Sequence, residues 1–432
     1  MIASNSIGIH AQVRRWRRPR VAIALLAATG LVTSVTASAA AALPVVASPE
    51  HRSDPVATQL QQALDGVVAA GVSGVTLRVD DGRRTYRLAS GQSRLEPPER
   101  MRPDARFRSG SISKSFVSTI ALQLVGESRL RLDDTVERWR PGLVPGGKNI
   151  TLRQLLNHTS GLFDFTQDDA FLERVFTDPL QPVKPQELVA VSNAHPPVFA
   201  PGTNWSYSNT NYIVVALILE RVTHQTVSQL IERRITRPLG LGDTYLPETS
   251  PDIKGRYAHG YFPPSLTGDG YLDVTRITAS WIGAAGALVS NEDDLRRFYQ
   301  ALLGGKLLRP TQLAQMKTFV PVQNGYGYGL GLYRLQTPCG PMWGHDGSLP
   351  GYQTIAWNDE TGRRGVAINV STQPDDQIAA AFTRLIEIAS CRALGSAPSP
   401  GAASDTTLRT AQVDAAWLWR IDPPLRSFPV RN

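Results

Sequence analysis

A serine and a lysine three residues apart, Ser111 and Lys114, form the only Ser-x-x-Lys sequence in this chain of 432 residues. They stand at the start of an apolar stretch, residues 115–125, that predicts a helix. Because three residues are just under one helical turn, the two side chains share a face and can meet. A lysine amine beside a serine hydroxyl is a plausible base for a nucleophile, whereas a polar helix start with a solvated lysine is the structural alternative.

Two further short motifs follow the serine. The first is Tyr207-x-Asn209 and the second is His345-x-Gly347. Taken alone, the first motif is typical of a turn, and a single histidine is typical of an ordinary core or surface position. A glycine on a strand allows another backbone or a substrate to approach closely, so Gly347 indicates a tight contact.

The elements that must position these residues are indicated by periodicity and turn signals. Asp54-Pro55 predicts a capped helix start, and apolar residues then recur at helical spacing. The predicted strands are 75–79, 85–89, 353–357 and 365–370, and a helix is predicted from about 375 to 390. Strands near both ends and a helical, loop-rich middle predict an antiparallel sheet with helices on it and an inserted helical lobe.

The three motifs, in this order and with these gaps, resemble those of the penicillin-recognising serine hydrolases: DD-peptidases, class C β-lactamases and related esterases. The branch most similar is the secreted D-alanyl-D-alanine carboxypeptidase of Streptomyces type, which carries histidine in the third motif. The resemblance covers roughly Asp54 to Cys391 and includes Asn157–Leu162, Tyr207–Asn211, Gly329–Leu332 and Gly351–Tyr352. It implies the α+β fold of that family, with the active site in the cleft between the sheet and the helical lobe.

The resemblance also implies roles for the motif residues. Ser111 is the expected nucleophile, and either a neutral Lys114 or an ionised Tyr207 takes its proton. Tyr207 is also the expected proton donor to the leaving group. Asn209 is expected to hold the lysine and the acyl amide of the substrate, and His345 to form a polar or positive wall near the tyrosine.

Further residues are expected to bind the substrate. The resemblance implies an oxyanion hole made by the backbone amides of Ser348 and the nucleophile, with Gly347 beside it, and an aromatic wall at Trp281. Arg334 is expected to bind the substrate carboxylate, although it stands one place after the arginine that the carboxypeptidases use. Because neighbours along a strand face opposite sides, the alternative is that it faces away from the cleft. Asp346 replaces the usual threonine; it either faces the cleft and repels a terminal carboxylate or points away and pairs with Arg334. We expect it to face the cleft.

These observations predict a serine D-alanyl-D-alanine carboxypeptidase-like enzyme that acts through an acyl-enzyme on peptidoglycan stem peptides. The alternative is an esterase, amidase or β-lactamase that applies the same chemistry to another small acyl donor. A third reading is an inactive peptide-binding or penicillin-binding module. β-Lactams are expected inhibitors, and no cofactor or metal is expected because His158, His195 and His259 lack ligand spacing. The protein is expected to be a monomer.

The ends of the chain indicate export. The formal net charge is +8, and five arginines between residues 14 and 20 supply most of it, so a nucleic-acid partner is not indicated. Those arginines precede an apolar run and small residues, which predicts a signal peptide over 1–39 and a secreted protein; a retained membrane anchor is the alternative. We expect a hydrolase domain over 40–395 and no membrane span after cleavage. Residues 396–432, rich in small residues and proline at their start, are expected to form a flexible tail, and the resemblance implies that such a tail is trimmed.

The chain has two cysteines, Cys339 and Cys391. In an exported protein an even pair predicts a disulfide, and two free buried thiols are the alternative. The resemblance favours the disulfide, because the related carboxypeptidases have a cystine at matching positions.

Overall fold

Within residues 54–322 and 326–396, which this computed structural model describes, nine antiparallel strands form one sheet. In chain order the strands are β1 (Gly74–Asp80), β2 (Thr85–Arg94), β3 (Glu99–Arg100), β4 (Phe107–Arg108), β5 (Tyr261–Phe262), β6 (Leu272–Asp273), β7 (Val289–Ser290), β8 (Val320–Pro321), β9 (Gly327–Tyr328), β10 (Tyr333–Thr337), β11 (Gly340–Leu349), β12 (Tyr352–Asn358) and β13 (Gly365–Val370). The order across the large sheet is β3-β2-β1-β13-β12-β11-β10-β9-β8, and β4–β7 and β5–β6 form small separate ladders. The first long strand, β1, and the last, β13, are therefore neighbours in the interior of the sheet.

Helices fill the middle of the chain and flank the sheet. In chain order they are α1 (Pro55–Ala69), α2 (Ser113–Gly126), α3 (Val136–Trp139), α4 (Leu152–Leu156), α5 (Asp169–Thr177), α6 (Pro185–Asn193), α7 (Asn209–Thr223), α8 (Val227–Ile231), α9 (Arg237–Leu239), α10 (Pro264–Thr267), α11 (Glu292–Leu303), α12 (Pro310–Met316) and α13 (Asp376–Leu394). A short 3-10 turn, Gly110–Ile112, leads directly into α2. The inserted lobe predicted from the sequence is thus mostly helical.

Local signals in the sequence explain where several elements begin. The side chain of Asp54 accepts a hydrogen bond from the Val56 amide, so it caps α1 as predicted. The strand predicted at 75–79 extends to Gly74–Asp80, and the strand predicted at 85–89 continues to Arg94. The predicted C-terminal helix begins at Asp376 and runs to Leu394. Existence and type of these elements are confirmed, and the differences are confined to their ends.

Helices cover both faces of the sheet. The helices α1 and α13 contact each other and lie against β1, β2 and β13, while α11 contacts β1, β12 and β13. Two apolar clusters result: one joins α1 and α13 to the sheet, and the other runs through the helical lobe and includes α11. The predicted fold class, an antiparallel sheet flanked by helices with a helical insertion, is confirmed.

The strand β11 is the part of the sheet that positions the site. Its first half pairs with β10, whereas its second half, up to Leu349, pairs with β12. The other edge of that second half lies against the 3-10 turn Gly110–Ile112. The start of α2 and the end of β11 are thereby brought side by side.

A disulfide joins Cys339, in the turn between β10 and β11, to Cys391 in the last part of α13, as predicted. Among the described residues, no helix has the length and apolar character needed to cross a membrane. The predicted signal peptide over 1–39 and the predicted tail, apart from Ser396, lie outside the described residues.

Candidate active site

The hydroxyl of Ser111 lies at the centre of the site, in the turn that leads into α2. Lys114, one helical turn further on, places its Nζ atom 3.0 Å from Ser111 Oγ. The same Nζ atom is 2.8 Å from Asn209 Oδ1 and 2.8 Å from the carbonyl oxygen of Ala285. The predicted meeting of the serine and the lysine is therefore present, and the lysine is fully buried rather than solvated.

The environment of Lys114 favours a neutral amine. Burial lowers the pKa of this lysine to about 7, against the opposing effect of the carboxylates of Asp164 and Asp346. A neutral amine has two N–H donors, and two of its three neighbours, Asn209 Oδ1 and the Ala285 carbonyl, can only accept. The nitrogen lone pair is then left for the hydroxyl proton of Ser111.

Tyr207 approaches the same serine from the start of α7. Its phenol hydrogen-bonds with Ser111, and its ring centre is 4.7 Å from Lys114 Nζ. Burial raises the pKa of Tyr207 well above its usual value of about 10, so the phenol keeps its proton. The ring stacks on His158 with centroids 4.2 Å apart. The sequence left two candidates for the base, Lys114 and Tyr207. The pKa shifts favour the lysine, and the protonated tyrosine is suited to donate a proton.

A carboxylate that the sequence analysis did not single out, Asp164, lies behind Asn209. Asn209 Nδ2 is 3.3 and 3.1 Å from the two Asp164 oxygens, while its Oδ1 faces Lys114. Burial raises the pKa of Asp164, and the hydrogen bonds it accepts act in the opposite direction. The available signal in the sequence was an acidic residue between two phenylalanines, directly after the Asn157–Leu162 motif.

Two glycines allow β11 to come close to the nucleophile. A Cβ atom at Gly347 would lie 2.0 Å from Ser109 O and 2.8 Å from Ser111 N, and one at Gly110 would lie 2.6 Å from Ser348 N. Gly110 also has φ +57°, a conformation that favours glycine. The backbone amides of Ser111 and Ser348 therefore lie beside the same small space, an arrangement suited to binding an oxyanion.

His345 is buried and neutral, which narrows the role predicted for it. Its Nε2 is 3.1 Å from the Tyr328 hydroxyl, and its Nδ1 is 2.6 Å from the carbonyl oxygen of Asp346. Nδ1 must carry the proton to donate to that carbonyl, so Nε2 accepts from the tyrosine. Burial lowers the pKa of His345 to about 3. It forms a polar wall with its ring centre 6.4 Å from that of Tyr207, and not a positive one.

Asp346 and Arg334 do not pair with each other, although they lie on adjacent strands. Arg334 is exposed and its guanidinium lies 5.8 Å from the ring centre of Trp343, so the predicted contact with substrate finds no support in this geometry. The side chain of Asp346 is only 13% exposed, and its Oδ1 is 3.5 Å from His345 Nδ1. Burial raises the pKa of Asp346 to about 6, and the charge of Lys114 lowers it. This carboxylate thus interacts electrostatically with Lys114.

Two other predicted residues differ in their surroundings. Trp281 is 3% exposed and its ring centre is 6.2 Å from that of Phe176, which places it in the packed helical lobe. Its expected role as a cleft wall stays a prediction. Ser348 Oγ is buried and has no hydrogen-bond partner among the described residues, so it is free to meet a substrate. Among those residues no cluster of three or more histidine, cysteine, aspartate or glutamate side chains could hold a metal ion.

Comparison with known proteins gives a consistent family. A family model described as Beta-lactamase matches residues 58–389. Penicillin-binding protein 4* of Bacillus subtilis (strain 168) is 28% identical over 305 residues, which are 66% of this chain and 64% of that protein. D-aminopeptidase of Brucella anthropi is 29% identical over 302 residues, which are 67% of this chain and 54% of the relative. The chain thus spans less than two thirds of either curated relative.

Among solved structures, the D-stereospecific amidohydrolase from Streptomyces sp. is similar along almost its whole length. It is 37% identical in sequence with a TM-score of 0.69, and the match covers 75% of this chain and 97% of that one.

Proposed function

This chain belongs to the beta-lactamase family of serine hydrolases, and on that premise we propose that it cleaves amides of D-amino acids that carry a free ammonium group. Ser111 is the nucleophile and Lys114 is its base. The reaction passes through an acyl-enzyme on Ser111, and export is proposed because a disulfide is typical of an oxidising compartment.

The contacts at Ser111 support a two-step acyl transfer. Ser111 Oγ attacks the carbonyl carbon of the substrate, and its proton passes to the neutral Nζ of Lys114, 3.0 Å away. The amides of Ser111 and Ser348 receive the negative charge that develops on the carbonyl oxygen. Tyr207 gives its phenolic proton to the leaving amine and is reprotonated from Lys114. Water then attacks the ester of the acyl-enzyme. Lys114 and Tyr207 accept a proton from the water and pass a proton to Ser111 Oγ as the acid product leaves.

One observation supports the proposed substrate class. The carboxylate of Asp346 lies next to His345 and acts on Lys114, whereas the guanidinium of Arg334 lies near the ring of Trp343. Since burial raises the pKa of Asp346 only to about 6, the group is an anion at neutral pH. An anion there attracts an ammonium group and repels a carboxylate. The names of the relatives agree with such a substrate, because an aminopeptidase acts at the amino end and an amidohydrolase cleaves amides.

The experiment is a comparison of three p-nitroanilides: D-alanine, N-acetyl-D-alanine and L-alanine. We expect kcat/KM for the free D-amine to exceed that for the acetylated substrate by at least about 10-fold, as one charge-assisted hydrogen bond provides, and to exceed that for the L-enantiomer as well. Asp346→Asn should reduce the preference for the free amine over the acetylated substrate by about the same factor. Asp252→Asn, which removes the same charge from an exposed pair with Arg276, is the matched control and should leave the preference unchanged.

Two results would contradict different parts of this proposal. Equal rates on the free and the acetylated amine would refute the role of Asp346 and leave the acyl-enzyme intact. Full activity in Ser111→Ala, or a labelled penicillin found on a different serine, would refute the nucleophile itself.

A second candidate, the D-alanyl-D-alanine carboxypeptidase activity expected from the sequence, is favoured by one observation. The unpartnered hydroxyl of Ser348 could donate to the terminal carboxylate of a peptide. The repulsion from Asp346 opposes this binding, so we rank the activity second. Release of D-alanine from a D-alanyl-D-alanine peptide at a rate above that of D-alanine p-nitroanilide cleavage would reverse the ranking.

A further inference from the structure

We propose that Asp164 is the positioning residue of the Ser111–Lys114 pair: its carboxylate fixes the amide of Asn209 and supplies the buried counter-charge of the lysine. The inference rests on the proposed function to the extent that Lys114 is treated as the base. It concerns a residue outside the three motifs and one that does not contact Ser111.

The carboxylate of Asp164 is held firmly in place. The residue is 5% exposed and lies at the start of a 3-10 turn, Phe165–Gln167. Oδ1 accepts the backbone amide of Thr166 at 3.1 Å, and both oxygens are within 3.3 Å of Asn209 Nδ2. Thr166 Oγ1 is also 3.2 Å from the same Nδ2 atom. The amide nitrogen of Asn209 is therefore surrounded by acceptors.

This environment decides which end of the Asn209 amide faces Lys114. A carboxylate can only accept hydrogen bonds, so the NH₂ group must face Asp164 and the oxygen must face the lysine. A reversed amide would set its oxygen against the carboxylate and its NH₂ group against the amine of Lys114. With the observed orientation, Asn209 Oδ1 and the Ala285 carbonyl occupy two N–H groups, which directs the lone pair of Lys114 toward Ser111.

Asp164 is also one of two carboxylates whose charge acts on Lys114. The other is Asp346, and both favour the protonated lysine, whereas burial favours the neutral one. The remaining titratable groups around the lysine are neutral near pH 7, because burial lowers the pKa of the histidines and raises the pKa of the tyrosines. These groups are His158, His345, Tyr207, Tyr212, Tyr299, Tyr328 and Tyr333. Removal of the Asp164 charge should therefore be felt directly by Lys114.

Two substitutions separate position from charge. Asp164→Asn keeps an acceptor oxygen for Asn209 and removes the charge. The acid limb, which is the rise of the rate with pH as Lys114 loses its proton, should therefore move to lower pH by about one unit. The rate on the plateau at higher pH should stay within roughly 10-fold of wild type. Asp164→Ala removes both and frees the Asn209 amide, so the rate should fall by about 10²-fold at every pH. Asp168→Asn, a nearby half-buried carboxylate that pairs with His195, is the matched control and should reproduce the wild-type profile.

The readout is the rate at which a fluorophosphonate labels Ser111 between pH 5 and pH 9. Ser111 Oγ forms the bond to phosphorus, fluoride leaves, and the hydroxyl proton passes to Lys114, so no amide substrate is needed. Coincident acid limbs for Asp164→Asn, Asp168→Asn and wild type would overturn the counter-charge. Wild-type labelling by a folded Asp164→Ala would overturn the positioning role.

The outcomes remain distinguishable if a variant is unstable or the substrate proposal fails. Thermal unfolding of each variant is measured first. If Asp164→Ala does not fold, the position of the acid limb in Asp164→Asn is the result that decides the proposal. If no D-amino acid amide is cleaved but the labelling limb moves as expected, the role of Asp164 stands and the proposed substrate falls.

Discussion

The most direct test of the proposed oxyanion site is the addition of one methyl group to β11, by Gly347→Ala. The new Cβ would lie 2.0 Å from Ser109 O and 2.8 Å from Ser111 N, where ordinary contacts begin at 3.4 Å. Because the nearest atoms belong to the backbone, no side chain can rotate away to make room. β11 and the turn at Ser111 must therefore separate by about 1 Å or more.

The cost to catalysis follows from this separation. The amides of Ser111 and Ser348 belong to the two segments that move apart, so they no longer meet one oxyanion together. Loss of one such donor, or a misplacement of about 1 Å, reduces the rate by about 10²–10³-fold. Overpacking of the strand should also cost about 1–3 kcal/mol of the free energy of unfolding, which is small enough for the protein to remain folded.

The assay is the hydrolysis of p-nitrophenyl acetate, a neutral ester with no charged group for Asp346 to attract or repel. The matched control is Gly365→Ala on β13, where a Cβ would lie 2.3 Å from Arg296 Nη1 and 2.6 Å from Trp357 O. It overpacks the same sheet away from Ser111 and should keep most of the activity. The reasoning fails if Gly347→Ala retains more than a third of the wild-type kcat/KM, or if both variants lose activity equally.

The remaining predictions concern the base, the specificity residue and the disulfide. Lys114→Ala and Tyr207→Phe should each slow acylation by at least about 10²-fold in a penicillin-labelling assay, and near-normal labelling would remove that residue from the mechanism. Because Lys114 must be neutral and its pKa is lowered to about 7, kcat/KM for a neutral ester should rise with pH through about 7 and then level; a flat profile from pH 5 to 9 would exclude this base. Asp346→Thr should raise kcat/KM for peptides with a free C-terminus, since it removes a like-charge repulsion, and it should leave neutral esters little changed on the pH plateau, where Lys114 is already neutral; equal effects on both would exclude a role in specificity. Reduction of Cys339–Cys391, which closes a separation of 52 residues, should cost about 4 kcal/mol and lower Tm by roughly 5 °C, measured by calorimetry with and without reductant.

Much of the fold could be predicted from the sequence because its signals are local. The cap at Asp54, the alternation in β1 and β2 and the periodicity of α13 all reflect contacts between residues close in the chain. The spacing of Ser111 and Lys114 is of the same kind, since a single helical turn brings them together. The predicted pairing of Cys339 with Cys391 needed only the number of cysteines and the expected compartment.

The state of the site was decided by tertiary packing. The pKa of Lys114, the proposed base, is lowered because burial removes the water that would stabilise its charge, and burial also keeps His345 neutral where the sequence allowed a positive wall. Arg334 and Asp346 separate because side chains alternate along strands whose register is set by the whole sheet. Asp164 meets Asn209 across 45 residues of chain. Residue types and short spacings are written in the sequence, whereas dielectric environment, strand register and long-range contacts exist only once the chain has folded.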